Sequence, residues 1–302
     1  MTEQPQGTPE ELVRSQTFDA TGPLELNVDI TVGRVEVKLG EGPVLAEIRH
    51  DPAAQAPWSE GVSSLLSWVG ERFGSQLGTD LTGSPADAVA QCRIEQVGTR
   101  LTVAGPKPLP LRNIPLAVTL HAPEGSHLTV RAGSAEVGLT GSAGRVDVAT
   151  GSGSVSVETA DGAATLRTGS GGIKAGALRA GLQLRSGSGD VDIAELPASG
   201  TVASGSGAVR LGEVSGSVLV RTSSGDVSVA GAAAGSLEAI TGSGNVRIGI
   251  RHGVAAEIEL SSGSGRVSSE LDVAETPPDR EVPLSVRART GSGDAVVTRA
   301  AG

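Results

Sequence analysis

Side chains able to do chemistry are sparse in this sequence, and their spacing argues against catalysis. The four histidines, His50, His121, His127 and His252, are scattered, and none has acids or cysteine at a metal-ligand spacing. The lone cysteine, Cys92, lies in a strand-like run with no supporting His or Cys motif, so it reads as a buried, reduced thiol. Asp190 and Asp192 come nearest to a carboxylate pair. Strand alternation beside a corner is expected to send them to opposite faces, which makes them poor partners for acid–base work. Glycine-rich corners such as Thr168-Gly-Ser-Gly171 could suggest a phosphate loop, but they lead into strands and only Lys174 lies near one. Calcium-binding nonapeptides need nine-residue units with aspartate two residues after the last glycine. Here Asp190, Asp226 and Asp294 follow that glycine directly. The expectation is no enzyme, no cofactor and no bound metal.

One column of residues has the makings of a recognition surface. With the second glycine of each corner taken as zero, position +14 holds Arg167, Arg185 and Arg221. Arg131 and Arg289 occupy the equivalent place before other corners, and Ala149 and Ala203 interrupt the series. Stacked on one outer edge, these arginines read either as a solvated face or as a docking strip for an acidic partner. In the first reading they are partly paired, with Asp190 across the corner from Arg185 and Asp226 across from Arg221. A second candidate partner surface is aromatic. Trp58, Val62, Leu65, Leu66, Val69 and Phe73 recur at helical spacing, and with Trp68 the helix holds both tryptophans and one of the two phenylalanines. That helix is expected either to cap an open end of the fold or to offer Trp58, Trp68 and Phe73 to a partner.

The elements that position these residues follow from a repeat. The unit Thr150-Gly-Ser-Gly-Ser-Val-Ser-Val157 returns with its second glycine at 153, 171, 189, 207 and 225, a spacing of 18, and then loosens through Gly244 and Gly265 to Gly293. A fixed period of this size marks units that bury their apolar faces only against their neighbours. Apolar residues recur at +2 and +4 (Val191/Ile193, Val209/Leu211) and at +11 and +13 (Leu182/Leu184, Val218/Val220), with Thr or Ser at +15. Each coil is therefore short strands with alternate side chains inward, joined at tight glycine corners. The fold class is all-β: a single-stranded parallel β-helix, or β-solenoid, right-handed by the usual chirality of parallel connections, with 18 residues per coil and one short amphipathic helix inserted. Residues 1–17 read as a disordered leader. Residues 18–112 read as N-terminal strands with the helical insert and a hairpin turning at Val97-Gly98, capping the solenoid. Residues 113–302 form the repeat domain.

Composition narrows the function classes. The chain has 302 residues, no tyrosine and a formal charge of −10. Residues 1–130 carry 16 acids against 9 bases and residues 131–302 carry 18 against 15, so no basic stripe of the nucleic-acid-binding kind is present. Forty-four glycines could signal disorder, but the strict period with Val/Leu/Ile alternation speaks for an ordered stack. The acidic N-terminus has no apolar signal region, and no run reaches the length of a membrane span. A cytoplasmic protein with little affinity for membranes is the expectation.

The stretch Ala122-Pro-Glu-Gly-Ser-His-Leu-Thr-Val-Arg-Ala-Gly-Ser-Ala-Glu-Val137, followed by serial Thr/Ser-Gly-Ser-Gly units, resembles the bacterial β-strand-repeat family of proposed adhesins, also called toast-rack domains. The resemblance runs over about residues 18–300, and the upstream pieces look like actinobacterial members. It implies the architecture. It implies no catalytic residues, because the family defines none, and it ties some relatives to the cell envelope and to envelope stress. The function expected is a non-enzymatic scaffold that binds another protein. The alternatives are a self-assembling structural protein or an adhesin-like, envelope-stress-associated one. The last repeat strand appears in sequence to have no coil after it, so a homodimer through the C-terminal end of the solenoid is also expected.

Overall fold

Alternation of Val, Leu and Ile with polar residues gives each repeat two short strands with one buried face, and stacking repeats in register turns those faces into continuous ladders. The computed structural model describes residues 13–20, 22–53, 84–271 and 282–300, and it shows this arrangement. The upstream strands are β1 (Val13–Phe18), β2 (Glu25–Leu39), β3 (Val44–His50), β4 (Arg93–Val97), β5 (Arg100–Ala104), β6 (Leu116–Ala122) and β7 (His127–Ala143). Five two-stranded coils follow: β8/β9 (Val146–Thr150, Val155–Ala160), β10/β11 (Ala164–Thr168, Ile173–Leu178), β12/β13 (Leu182–Ser186, Val191–Leu196), β14/β15 (Gly200–Ser204, Val209–Val214) and β16/β17 (Val218–Thr222, Val227–Ala232). The last three are β18/β19 (Gly235–Ser243, Val246–Ile250), β20/β21 (Ala256–Ser262, Val267–Ser269) and β22/β23 (Leu284–Ser292, Ala295–Arg299).

Even-numbered strands from β8 onward pair in parallel with one another, and odd-numbered strands do the same, with Leu166 opposite Leu184 and Ile173 opposite Val191 as typical steps. The expected fold class is the one observed. Val148, Leu166, Leu184, Val202 and Val220 form one buried ladder, facing Val157, Ala175, Ile193, Leu211 and Val229 on the other side of the core. β2 and β7 run from one ladder into the other, with Gly33 (φ +132) at the bend in β2.

The corner explains the motif. At Gly171 a Cβ would stand 1.9 Å from the Gly153 carbonyl oxygen of the coil below, so the coils approach at ladder spacing only if this position has no side chain. The residue before the corner is equally constrained. The Thr168 hydroxyl accepts the Gly171 N–H at 3.1 Å and donates to the Gly153 carbonyl at 3.4 Å. Thr150, Ser186, Ser204, Thr222, Thr241 and Thr290 hold the same buried place in other coils. These hydroxyls satisfy backbone groups that the turn would otherwise bury unpaired.

The upstream end differs from a plain stack. β1 pairs antiparallel with β3, and β3 antiparallel with β6, so part of the expected leader, from Val13 onward, is strand. β4 and β5 form the hairpin expected near Val97-Gly98, with Gly98 at φ +59. Pairing is continuous across the boundary drawn at residues 112 and 113, because β2 bonds both β6 and β7. The helical insert over Trp58–Phe73 lies outside the described residues. A different helix is described, α1 (Pro85–Gln91), opened by a capping box between Ser84 and Asp87. Its Ala88 and Val89 are buried.

At the downstream end the coil order departs from the sequence order. β22/β23 does not sit on top of β20/β21. It lies between β18/β19 and β20/β21, with Leu237 and Ile258 both paired to Val286, and Val246 and Val267 both paired to Ala295. The outermost coil is therefore 256–269, and the last strand of the chain is an interior one. This corrects the expectation of an uncovered C-terminal strand. The sequence pattern alone does not signal this step back by one layer.

Candidate functional site

The arginine column is a product of register. Parallel pairing sets Arg131 beside Ala149, Ala149 beside Arg167, Arg167 beside Arg185, Arg185 beside Ala203 and Ala203 beside Arg221. The series continues through Ile240 to Arg289. All five arginines project outward from one ladder while their sequence neighbours are buried, Ala132 only partly. One coil step is about 4.8 Å, so Arg131 and Arg289, seven steps apart, lie roughly 34 Å from each other along the axis.

The ends of the strip are ion-paired and, among the described residues, its middle is not. Arg131 donates to both Asp147 carboxylate oxygens, at 3.1 and 2.7 Å, and this bond holds its guanidinium above the ordinary value against the opposing pull of partial burial. Arg289 and Arg287 share Glu259 at 2.8 and 2.7 Å, which holds that carboxyl below the usual range. Among the described residues, Arg167, Arg185 and Arg221 have no carboxylate within ion-pair distance. The parallel outward column beside them reads Thr165, Gln183, Thr201 and Leu219, with Asp147 one step before and Glu238 one step after. Arg167 and Arg185 are direct ladder neighbours, an arrangement of like charges that weakens a sheet unless something else offsets it.

The cross-corner pairs expected for Arg185 and Arg221 do not form. Asp190 accepts the Ala208 N–H at 2.9 Å and an Arg210 N–H at 3.1 Å, and Asp226 accepts the Asn245 N–H at 2.7 Å. Asn245 and Asp294 repeat this bond to the N–H of the stacked residue, so the position after the glycine staples successive corners together. Asp190 and Asp192 also share a face rather than opposing ones, since both contact Arg210, at 3.1 and 3.4 Å. Residues two apart in a strand point the same way, and the corner does not interrupt this. The Ala208 N–H first, then Arg210, lower the Asp190 pKa, the wrong direction for a general acid.

No other chemistry gathers on the fold. Among the described residues no group of three or more His, Cys, Asp or Glu side chains is placed to hold a metal ion. His127 uses Nδ1 to accept the Arg145 N–H at 2.9 Å, a structural bond. Cys92 is buried, and burial pushes its thiol up to about 11, which keeps it protonated and unreactive. Among the described residues no helix is long and apolar enough to cross a membrane. Trp58, Trp68 and Phe73 lie outside the described residues.

No curated protein matches the chain. Among solved structures, a proposed adhesin from Bacteroides fragilis aligns at 11% identity over 96% of this chain and 98% of its own, with a TM-score of 0.41. A proposed adhesin from Parabacteroides distasonis aligns at 11% identity over 96% and 98%, with a TM-score of 0.27. A proposed lipid-binding protein from the same species aligns at 14% identity over 94% and 96%, with a TM-score of 0.34. The family model described as Toastrack DUF4097 matches residues 180–298, a stretch that includes Arg185 and Arg221.

Proposed function

We propose that this chain is a non-enzymatic β-solenoid scaffold that docks an acidic protein surface against the middle of its arginine strip. The observation that carries the reading is the absence, among the described residues, of any ion-pair partner for Arg167, Arg185 and Arg221, while Arg131 and Arg289 at either end are paired. A rigid ladder fixes the spacing of the three cations in advance, so a partner would bind them with little ordering cost. A cytoplasmic setting fits a chain whose single thiol is buried and free.

The test is a triple variant, Arg167→Gln, Arg185→Gln and Arg221→Gln, offered fluorescein-labelled poly-glutamate as a stand-in for an acidic chain. Exposed pairs contribute ~0.2–1 kcal/mol each, so losing three should weaken binding by about 0.6–3 kcal/mol, or roughly 3- to 150-fold. Binding by the parent should fall as salt rises and the screening length shortens below about 10 Å. The far-UV spectrum should not change, and relief of the Arg167–Arg185 repulsion should leave the unfolding midpoint equal or slightly higher. Unweakened binding by the triple variant would assign the strip to plain solvation.

A further inference from the structure

The coil formed by β22/β23 occupies a slot. On one side it bonds β18/β19, from Gly235 opposite Leu284 to Ile250 opposite Arg299. On the other it bonds β20/β21, from Ala256 opposite Leu284 to Ser269 opposite Val297. Both walls of the slot precede its occupant in the chain, and they pair with it rather than with each other. The occupant brings a full apolar face, with Leu284, Val286, Ala288, Ala295 and Val297 all buried. The outer wall is thin by comparison: β21 has three residues, Ile258 and Leu260 are only partly covered, and Val267 is 44% exposed. What fastens that wall comes from the occupant: the Glu259 pairs with Arg287 and Arg289, the Ser262 bond to the Gly293 carbonyl at 2.8 Å, and Asp294 accepting the Arg266 N–H at 2.8 Å.

We infer that β22/β23 is an exchangeable coil, and that the slot between β18/β19 and β20/β21 accepts the same coil from a second copy of this chain. Every bond the slot offers in cis is available in trans, because register, corner and ladder residues are identical in the copy. The pairing of the coil is unchanged by the exchange, so the exchanged form differs from the monomer mainly by the entropy of association. The exchange follows the same logic as strand addition to a sheet edge, with main-chain bonds giving affinity and the buried alternate side chains fixing the register. Association would thus arise inside the solenoid, one coil in from its end, rather than by abutting two outer edges.

The test uses a disulfide across the slot wall in the full chain. Glu257 and Ser285 are register partners with exposed side chains. Neighbouring strands put their Cα atoms about 4.8 Å apart, inside the range of roughly 4.4–6.8 Å that a disulfide spans. The Glu257→Cys, Ser285→Cys protein oxidised while dilute should lock the coil in cis and run as a monomer on a non-reducing gel. The same protein concentrated, held just below its unfolding temperature, cooled and then oxidised should give covalent dimers that reduction dissolves. Their yield should rise with protein concentration and fall at least about tenfold when a synthetic peptide of residues 282–302 is present at a large excess over its own dissociation constant. A sample that stays entirely monomeric on the non-reducing gel at every concentration overturns the inference, even if light scattering shows association, because end-to-end contact leaves the disulfide within one chain. Failure of the dilute protein to form the disulfide also overturns it, since the wall and the occupant would then not be neighbours.

Discussion

Two adjacent glycines in one corner should respond to the same substitution in opposite ways. At Gly171 an added Cβ meets the Gly153 carbonyl oxygen at 1.9 Å, its carbon at 2.3 Å and the Ser154 nitrogen at 3.0 Å, all backbone. At Gly172 the nearest atom is the Asp190 carbonyl oxygen at 3.7 Å, an ordinary contact. To admit a methyl at 171 the two coils must part by more than an ångström, a sizeable fraction of the ~4.8 Å ladder step. That movement breaks the bond from the Thr168 hydroxyl to the Gly153 carbonyl of the other coil, at 3.4 Å. Overpacking costs about 1–3 kcal/mol, and each buried polar group left unpaired about 1–3 kcal/mol more. Gly171→Ala should therefore lose roughly 2–6 kcal/mol, while Gly172→Ala should stay within about 0.5 kcal/mol, or gain slightly by restricting the unfolded chain. Urea unfolding followed by far-UV dichroism reads both. A solenoid can unfold in stages, so the comparison is the first transition of each variant rather than one global midpoint. Equal midpoints for the two variants would refute the claim that coil approach, rather than glycine's flexibility, selects the residue at 171.

Val191 is fully buried in its ladder and Ser188 is exposed at a corner, so Val191→Asp should cost at least ~3 kcal/mol by burying an unpaired carboxylate, and Ser188→Ala should be nearly silent in the same assay. Asp190 has a folded-state pKa below its unfolded value of about 3.9, so its ionised form stabilises the fold fully above that pH and loses its effect as the pH falls through the lower folded value. Asp190→Asn keeps the backbone bond, as Asn245 does toward the Asp294 N–H at 3.0 Å, and removes only the charge. The thermal midpoint of the variant should lie below that of the parent at neutral pH and converge with it in acid; a gap that is the same at pH 7 and pH 2 counts against the Asp190–Arg210 pairing.

The repeat makes the interior legible in the sequence itself. An 18-residue period with Val, Leu or Ile at alternate places can bury one face only by stacking, so the parallel ladders, the inward residues and the arginine column all followed from counting. The Thr or Ser before each corner was visible as a pattern, but its work, bonding one coil's glycine N–H and another's carbonyl, depends on atoms 15 to 18 residues apart. Three features belonged to the tertiary structure. Asp190 binds Arg210 rather than Arg185 because it projects with Asp192 toward the next coil's outer face, and that choice rests on where short side chains can reach. Strand β1 forms from polar residues because β3 offers it an open edge. The order of the last coils was undecided in the sequence because the corner residues Thr241, Ser262 and Thr290, and Gly244, Gly265 and Gly293, suit either stacking equally. The coil with the fuller apolar face, 284–299, takes the interior place, and the coil with Ser269 where others carry Val, Ile, Leu or Ala is left at the end. Local pattern defines what each coil is, but the burial available to competing neighbours decides where it sits.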